Sequence, residues 1–372
     1  MKILLLGEYS NVHATLAEGL RTLGHQVTIA SSGDFWKDYP RDIDLQRRPG
    51  MIGGMALIAK LISVLPRLKG YDVVQLINPM FLELKAERLF PIYRYLRRNN
   101  GAMVLCAFGM DYYWVQECST RMPLRYSDFN IGPHLRTEDV ALRDQRDWTG
   151  TAKEGLNKLI AIDCDAIVTG LYEYQVCYEP HFPDKTQFIP FPIVVKPEQA
   201  ALMKKDRTDG RRFRMFVGIS KNRSTYKGTD IMLRAAQAVA AKYPETVELQ
   251  VADGLPFNVY TEMLNQADVI LDQLYSYTPA MNALEAMARA TVVVGGGEPE
   301  NYEILGEKEL RPIINVLPTY ESVYHELEQL ALHPERIPEL QSQGVEYIRR
   351  HHDHIKVAKR YESLYTSITH NE

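Results

Sequence analysis

The sequence predicts an α/β fold of two Rossmann-like, doubly wound domains. Three observations carry this. Strand-like and helix-like patterns alternate through the first half of the chain. The alternation lapses over 191–210, where the chain turns rich in proline and lysine. A second alternating set then follows. The simplest architecture is an N-terminal domain over 1–195, a linker over 196–210 and a C-terminal domain over 211–354. At 372 residues the chain is long enough for two domains of ordinary size, each with its own core.

In chain order, the first apolar run, 2–6, reads as a buried strand. It is too short for a signal peptide, and no small-residue cleavage site follows it. Further strands are expected at 26–30, 72–76, 103–107, 166–169 and 186–189, with helices at 13–23 and 82–98. Residues 51–68 form the most apolar later stretch, broken by Lys60, Pro66 and Arg67. It falls short of the roughly 20 apolar residues needed to span a bilayer. It reads as a core helix. The alternative is a membrane-surface helix, supported by Lys60, Arg67 and Lys69. Residues 112–159 do not fit the alternation; they are long, aromatic and charged, and such an insertion is either functional or a plain cap. The second set of strands is expected at 213–217, 247–251, 268–271, 291–294 and 312–316. Residues 351–368 show helical periodicity through Ile355, Ala358, Tyr361, Leu364 and Tyr365.

Hydrophobic residues make up 45% and charged residues 24%, which places the chain among soluble globular proteins. A net charge of -4 gives no sign of a nucleic-acid partner. The four cysteines have no metal-binding or redox spacing and read as reduced thiols of a cytoplasmic protein.

Residues 267–298 are the most informative. An apolar strand leads into a polar loop, and a helix is expected to open at Thr278-Pro279, a good cap followed by a good first residue. Free N–H groups near Ala280 would then face the carboxyl edge of the sheet, where open α/β sheets bind phosphorylated ligands. Glu285 shares a helical stripe with Asn282 and Arg289, while Met281, Leu284 and Ala288 lie on a neighbouring face. A second strand ends in Gly295-Gly296-Gly297-Glu298. A carboxylate for a ribose, amides for a diphosphate and a glycine loop beside them describe a nucleotide-sugar pocket. The bland alternatives are an ion pair from Glu285 to Arg289 and a simple strand-to-loop turn.

This stretch resembles the donor-binding half of the retaining family-4 glycosyltransferases, enzymes of the GT-B architecture with two Rossmann-like domains facing a cleft. Glu285-Ala286-Met287-Ala288 matches the second glutamate of that family's motif, and Tyr277 stands where the first belongs. The resemblance implies that Glu285 binds the ribose and that Lys227-Gly228 clamps the donor diphosphate. Ile219, after Gly218, replaces the usual arginine, so Lys221 or Arg223 is expected to supply the second cation, with Arg223 favoured for its bidentate geometry. Gly295 and Gly296 would lie by the sugar or phosphate, and Asp253 by the base. Tyr277 would approach the donor sugar or leave Asp272 or Gln273 to reach it.

In the N-terminal domain the resemblance points to Ser10, Asn11 and His13 beside donor or acceptor. It also points to Asp111 as an acceptor-orienting or charge-stabilising carboxylate, although Asp111 equally suits a cap. Phe108 replaces the histidine of relatives. A terminal helix over 355–372 is expected to pack back on the first domain.

No metal and no cofactor is expected. Asp42-Ile43-Asp44 and Asp163-Cys164-Asp165 are chance triplets, and the run of histidines from His351 points different ways round a helix. The implied activity is retaining transfer of a hexose from a nucleoside-diphosphate sugar to a hydroxyl of a glycan or lipid-linked acceptor, in surface polysaccharide assembly. A peripheral contact with the inner membrane face accompanies it. The rivals are a nucleotide-sugar epimerase of similar fold and a non-catalytic nucleotide-sugar binder.

Overall fold

The structure, a computed structural model, describes residues 1–195, 212–219, 224–253 and 257–369. The expected linker, together with Lys221 and Arg223, lies outside the described residues. The chain divides into two compact units. One comprises Met1–Pro123, Arg143–Pro192 and His354–Glu372; the other comprises Leu124–Leu142 and Ile193–Asp353.

The first unit is built on β1 (Lys2–Leu6), α1 (Val12–Thr22), β2 (Gln26–Ser31), β3 (Ile43–Asp44), α2 (Gly50–Val64), β4 (Val73–Leu76), α3 (Ala86–Asn99) and β5 (Ala102–Ala107). It continues through α4 (Tyr112–Thr120), later α6 (Ala152–Asp163), β8 (Ala166–Thr169), α7 (Tyr172–Tyr178) and β9 (Thr186–Phe188). The seven-stranded sheet runs β3-β2-β1-β4-β5-β8-β9. Every pairing in it is parallel. Helices cover both faces, so the strands read as unbroken apolar runs: Ile3 to Leu6 and Met103 to Ala107 are all fully buried. The order reverses direction between β1 and β4, the place where doubly wound sheets open a crevice at their carboxyl ends. The edge strand β3 was not expected from the sequence, because two residues carry no legible period.

By length and composition the helical run Gly50–Arg67 is long and apolar enough to cross a membrane, against the expectation that it falls short. It is not a plain core helix either. Gly53, Gly54, Leu57, Leu61 and Val64 are buried in the unit, while Met51, Ile52, Met55 and Ile62 are exposed.

The second unit carries β10 (Phe213–Ile219), α8 (Ser224–Lys227), α9 (Thr229–Lys242), β11 (Val247–Asp253), α10 (Phe257–Gln266), β12 (Val269–Leu271), α11 (Met281–Ala288), β13 (Val292–Gly295), α12 (Pro299–Leu305) and β14 (Ile313–Asn315). Then come α13 (Tyr320–Leu332) and α14 (Ile337–Tyr347). Its parallel five-stranded sheet runs β11-β10-β12-β13-β14, with its reversal between β10 and β12. Phe213, Met215, Val217, Val269, Leu271 and Val292 form the centre of its core. The fold is therefore α/β with two Rossmann-like sheets.

Leu124–Leu142 lies in sequence within the stretch assigned to the first domain, yet it packs in the second unit. It forms a small antiparallel hairpin, β6 (Asn130–Ile131) and β7 (His134–Leu135), ahead of α5 (Asp139–Trp148). The Asn130 amide donates to the carbonyls of Leu124 and Gly132, which ties the loop to itself. The final helix, α15 (His354–Thr369), belongs to the first unit. There the Tyr365 hydroxyl donates to Gln75 Oε1 on β4 at 2.7 Å.

Candidate functional site

In the second unit the segments 224–228, 272–280 and 295–298 meet at one end of the sheet. Lys227 closes α8 and is half-buried. Among the described residues its ammonium has no ion-pair or hydrogen-bond partner. Gly228 follows with φ +70°, and a Cβ there would stand 2.6 Å from Leu274 Cβ, so only glycine fits. The Leu274 N–H donates to the Lys227 carbonyl at 2.9 Å. Lys227 and Gly228 are thus seated against the loop after β12, beside the sheet's reversal point.

The helix after β12 begins at Met281, not at Thr278-Pro279 as the local sequence predicts. Thr278 is buried, and its carbonyl accepts from Ser276 Oγ at 2.6 Å. Ala280 takes the capping position with extended backbone and no side-chain cap. The start of α11 is therefore set by the backbone of Ala280, whose carbonyl accepts the Leu284 N–H at 3.0 Å. Asn282, Glu285 and Arg289 share a half-buried stripe, while Met281, Leu284 and Ala288 are buried. Glu285 pairs with Arg289 at 3.6 Å, and Asn282 donates to the buried Asp272 at 2.8 Å. Gln273 is half-buried between them in sequence. Gly218 is half-buried near the end of β10, and Asp253 is exposed at the end of β11.

The glycine loop serves the chain's own packing. None of the three glycines has a positive φ. A Cβ on Gly296 would lie 2.1 Å from the Ser276 carbonyl oxygen, and one on Gly295 3.0 Å from that of Gln273. Their backbone approaches the loop after β12, which accounts for glycine at Gly295 and Gly296.

Tyr277 is likewise built in. It is 1% exposed, and its hydroxyl accepts the Arg125 N–H at 2.6 Å. The Arg125 guanidinium lies 4.8 Å from the centre of its ring and forms a fork to Glu300 at 2.5 and 3.1 Å. It also reaches Glu298 at 2.8 Å, and the Tyr126 hydroxyl donates to the same carboxylate. Burial pushes the Tyr277 phenol up to about 12, so it stays neutral. Farther along the segment, the Arg136 guanidinium stacks 3.9 Å from the centre of Tyr275, and the Tyr226 hydroxyl donates to Asp128 at 2.5 Å. Arg125, Tyr126, Asp128 and Arg136 escaped the sequence reading. The aromatic, charged character of 112–159 marked the segment but not the unit it joins.

In the first unit the turn after β1 is a tightly bonded element. The Glu8 carboxylate accepts the N–H groups of His13 and Ala14 at 3.2 and 2.8 Å and so caps α1. Burial nevertheless raises it to about 8, because desolvation outweighs the amide bonds. His13 Nδ1 lies 2.7 Å from the Gly7 carbonyl, which can only accept. Nδ1 therefore carries the proton, and Nε2 accepts from the Gln75 amide at 3.1 Å. The fully buried ring is held near pKa 4, so His13 is neutral and its two nitrogens are both engaged within the unit. The Ser10 N–H donates to Asp34, and Lys37 donates to Ser10 Oγ at 3.3 Å. Asn11 sits at φ +70° as the residue before α1, half-buried.

Asp111 caps α4. It accepts the Trp114 N–H at 2.8 Å and the Tyr178 hydroxyl at 2.7 Å, with no exposed surface. Burial lifts it to about 7. Of its two sequence readings, the cap is the one these bonds describe. Phe108 packs edge-on against Phe191 with centroids 4.9 Å apart.

The aspartates of the two DxD-like triplets are spoken for. Asp42 pairs with Arg21, Asp44 with Arg41 and Lys60, and Asp165 with Arg97. His351 lies 2.7 Å from Glu307. Among the described residues no group of three His, Cys, Asp or Glu is placed to hold a metal ion.

No protein-family model matches the chain, and no curated protein matches it in sequence. Solved structures do. HepE from Anabaena, in complex with UDP and glucose, is similar over 99% of this chain and 100% of its own, with a TM-score of 0.58 and 14% identity. The likeness is one of fold. Sucrose-phosphate synthase from Thermosynechococcus elongatus is similar over 99% of both chains, with a TM-score of 0.59 and 13% identity. The UDP-GlcNAc 2-epimerase of Neisseria meningitidis, bound to UDP-GlcNAc, covers 99% and 100% with a TM-score of 0.53 and 12% identity. Transferases and an epimerase thus share the paired Rossmann-like architecture of this chain.

Proposed function

We propose that the chain is a retaining glycosyltransferase that moves a hexose from a nucleoside-diphosphate sugar to a hydroxyl of a glycan or lipid-linked acceptor. The observation that carries this reading is Lys227, half-buried beside the sheet reversal of the second unit, seated against the loop that leads into α11 and with no ammonium partner among the described residues. A diphosphate answers a cation of this kind placed beside the start of a helix. Glu285, on the half-buried stripe of that helix, would exchange its Arg289 contact for the ribose hydroxyls. The fold-level likeness to HepE, described with UDP and glucose, supports the same ligand class.

In the reaction the bond from the anomeric carbon to the β-phosphate oxygen breaks, and the acceptor oxygen bonds that carbon on the same face. The acceptor proton passes to the departing phosphate. The new charge on the nucleoside diphosphate is met by Lys227, by Arg223 or Lys221 and by the amides near Ala280. No strong general base is required, which agrees with His13 and Asp111 being engaged in structural bonds. Polysaccharide assembly in the cytoplasm is the setting this chemistry suits.

An epimerase is the second reading, favoured by the Neisseria likeness and by the engaged state of those two first-unit residues. Incubation with a panel of nucleotide sugars, followed by NMR, separates the two. Slow release of nucleoside diphosphate with retained sugar stereochemistry supports transfer; inversion at sugar C2 without an acceptor would replace it.

A further inference from the structure

Residues 41–70 carry six Lys and Arg against two Asp, a local charge of +4 in a chain of net charge -4. Within this stretch α2 has one buried face, and its other face is bare. Met51 is 81% exposed, Ile52 77%, Met55 55% and Ile62 65%. With Ala56, Ala59 and Ser63, also exposed, they recur at three- and four-residue spacing and form one uncharged stripe. Over the twelve residues from Met51 to Ile62 the stripe runs about 16 Å. Exposed Arg47, Arg48, Arg67 and Lys69 stand at its two ends. Lys60 lies at its margin and pairs with Asp44 at 3.0 Å. The Tyr95 hydroxyl donates to the Leu65 carbonyl, which sets α3 beside the end of the stripe, and α3 presents exposed Arg94 and Arg98.

We infer that this face docks on an anionic lipid bilayer, with the stripe lying in the headgroup boundary and the cations on the surrounding lipid phosphates. An apolar helical face with cations at its edges has the chemistry of an interfacial helix. Leu57, Leu61 and Val64 hold the opposite face inside the unit, so the helix lies along the membrane and does not cross it. A second copy of the chain is a poorer occupant. Whichever way two such helices meet, the cations at the ends of one approach those of the other. The inference does not depend on the sugar-transfer reading.

Vesicle co-sedimentation of the full chain tests it. Vesicles of phosphatidylcholine with about 30% phosphatidylglycerol should bind the protein at low salt, and raising the salt should release it. The double substitution Ile52→Ser/Ile62→Ser should weaken binding about tenfold or more. Arg67→Gln/Lys69→Gln should weaken it by a similar factor, at about fivefold per cation. All four positions are exposed, so thermal midpoints should stay at the wild-type value. Absence of binding to anionic vesicles would overturn the inference. So would binding that neither substitution pair changes, or a concentration-dependent dimer that Ile52→Ser/Ile62→Ser abolishes.

Discussion

At the scale of single residues, burial decides which polar side chains are available for chemistry. Tyr277 departs from the resembled family's motif, and its hydroxyl is committed to a backbone N–H of Arg125. Tyr277→Phe removes that acceptor and should cost about 1–3 kcal/mol in chemical denaturation. Tyr277→Ala also leaves a cavity and should cost about 3–5 kcal/mol. In both variants nucleotide affinity should change less than stability, and a loss of affinity with unchanged stability would place the ring in the donor pocket. Asp111 gives a parallel case. Asp111→Ala deprives the Trp114 N–H and the buried Tyr178 hydroxyl of their acceptor and should destabilise by about 2–4 kcal/mol. Asp111→Asn keeps one oxygen for the Trp114 N–H and should recover part of that loss. A catalytic role would instead show as a fall in turnover in a fully stable protein.

At the scale of elements, the strands were legible and their partners were not. Parallel strands buried on both faces must be apolar throughout, so 2–6 and 166–169 were read at their observed bounds. The start of α11 was misread because Thr278-Pro279 is a good local cap, whereas packing of the loop pulls Thr278 inward. The need for glycine at Gly295 and Gly296 has a packing cause that the sequence does not show. Their neighbours are carbonyls of the loop after β12, which only the folded chain brings close. Gly296→Ala should therefore destabilise strongly, by more than about 3 kcal/mol, since the clash is with backbone that cannot swing aside. An alanine variant of wild-type midpoint would show that the loop yields. The segment 124–142 was the largest omission. Arg125 lies 152 residues before Tyr277, and no local pattern announces such a contact.

At the scale of the whole molecule, buried titratable groups give the stability a definite pH dependence. Asp111 moves from 3.8 to about 7 and Glu8 from 4.5 to about 8 on folding. Each holds a proton in the folded state that the unfolded chain has released, so each lowers stability as pH rises through those windows. His13, depressed from 6.5 to about 4, acts in the opposite sense, raising stability between those values and having no further effect above 6.5. The slopes combine so that stability falls most steeply just above pH 6.5, where His13 no longer offsets the acids. Thermal midpoints should be higher at pH 5 than at pH 8, and Glu8→Gln should flatten the decline between pH 7 and 8. A midpoint that climbs steadily through this range would refute the burial argument.

Lys227, at the sheet reversal of the second unit, is proposed to hold a nucleoside diphosphate. Isothermal titration with UDP, GDP, ADP and dTDP tests it most directly. One of these should bind with unit stoichiometry, and Lys227→Ala, at a half-buried position without a described partner, should weaken it about 10- to 100-fold with an unchanged melting midpoint. Binding that Lys227→Ala leaves intact, or no binding by any of the four, would contradict the account.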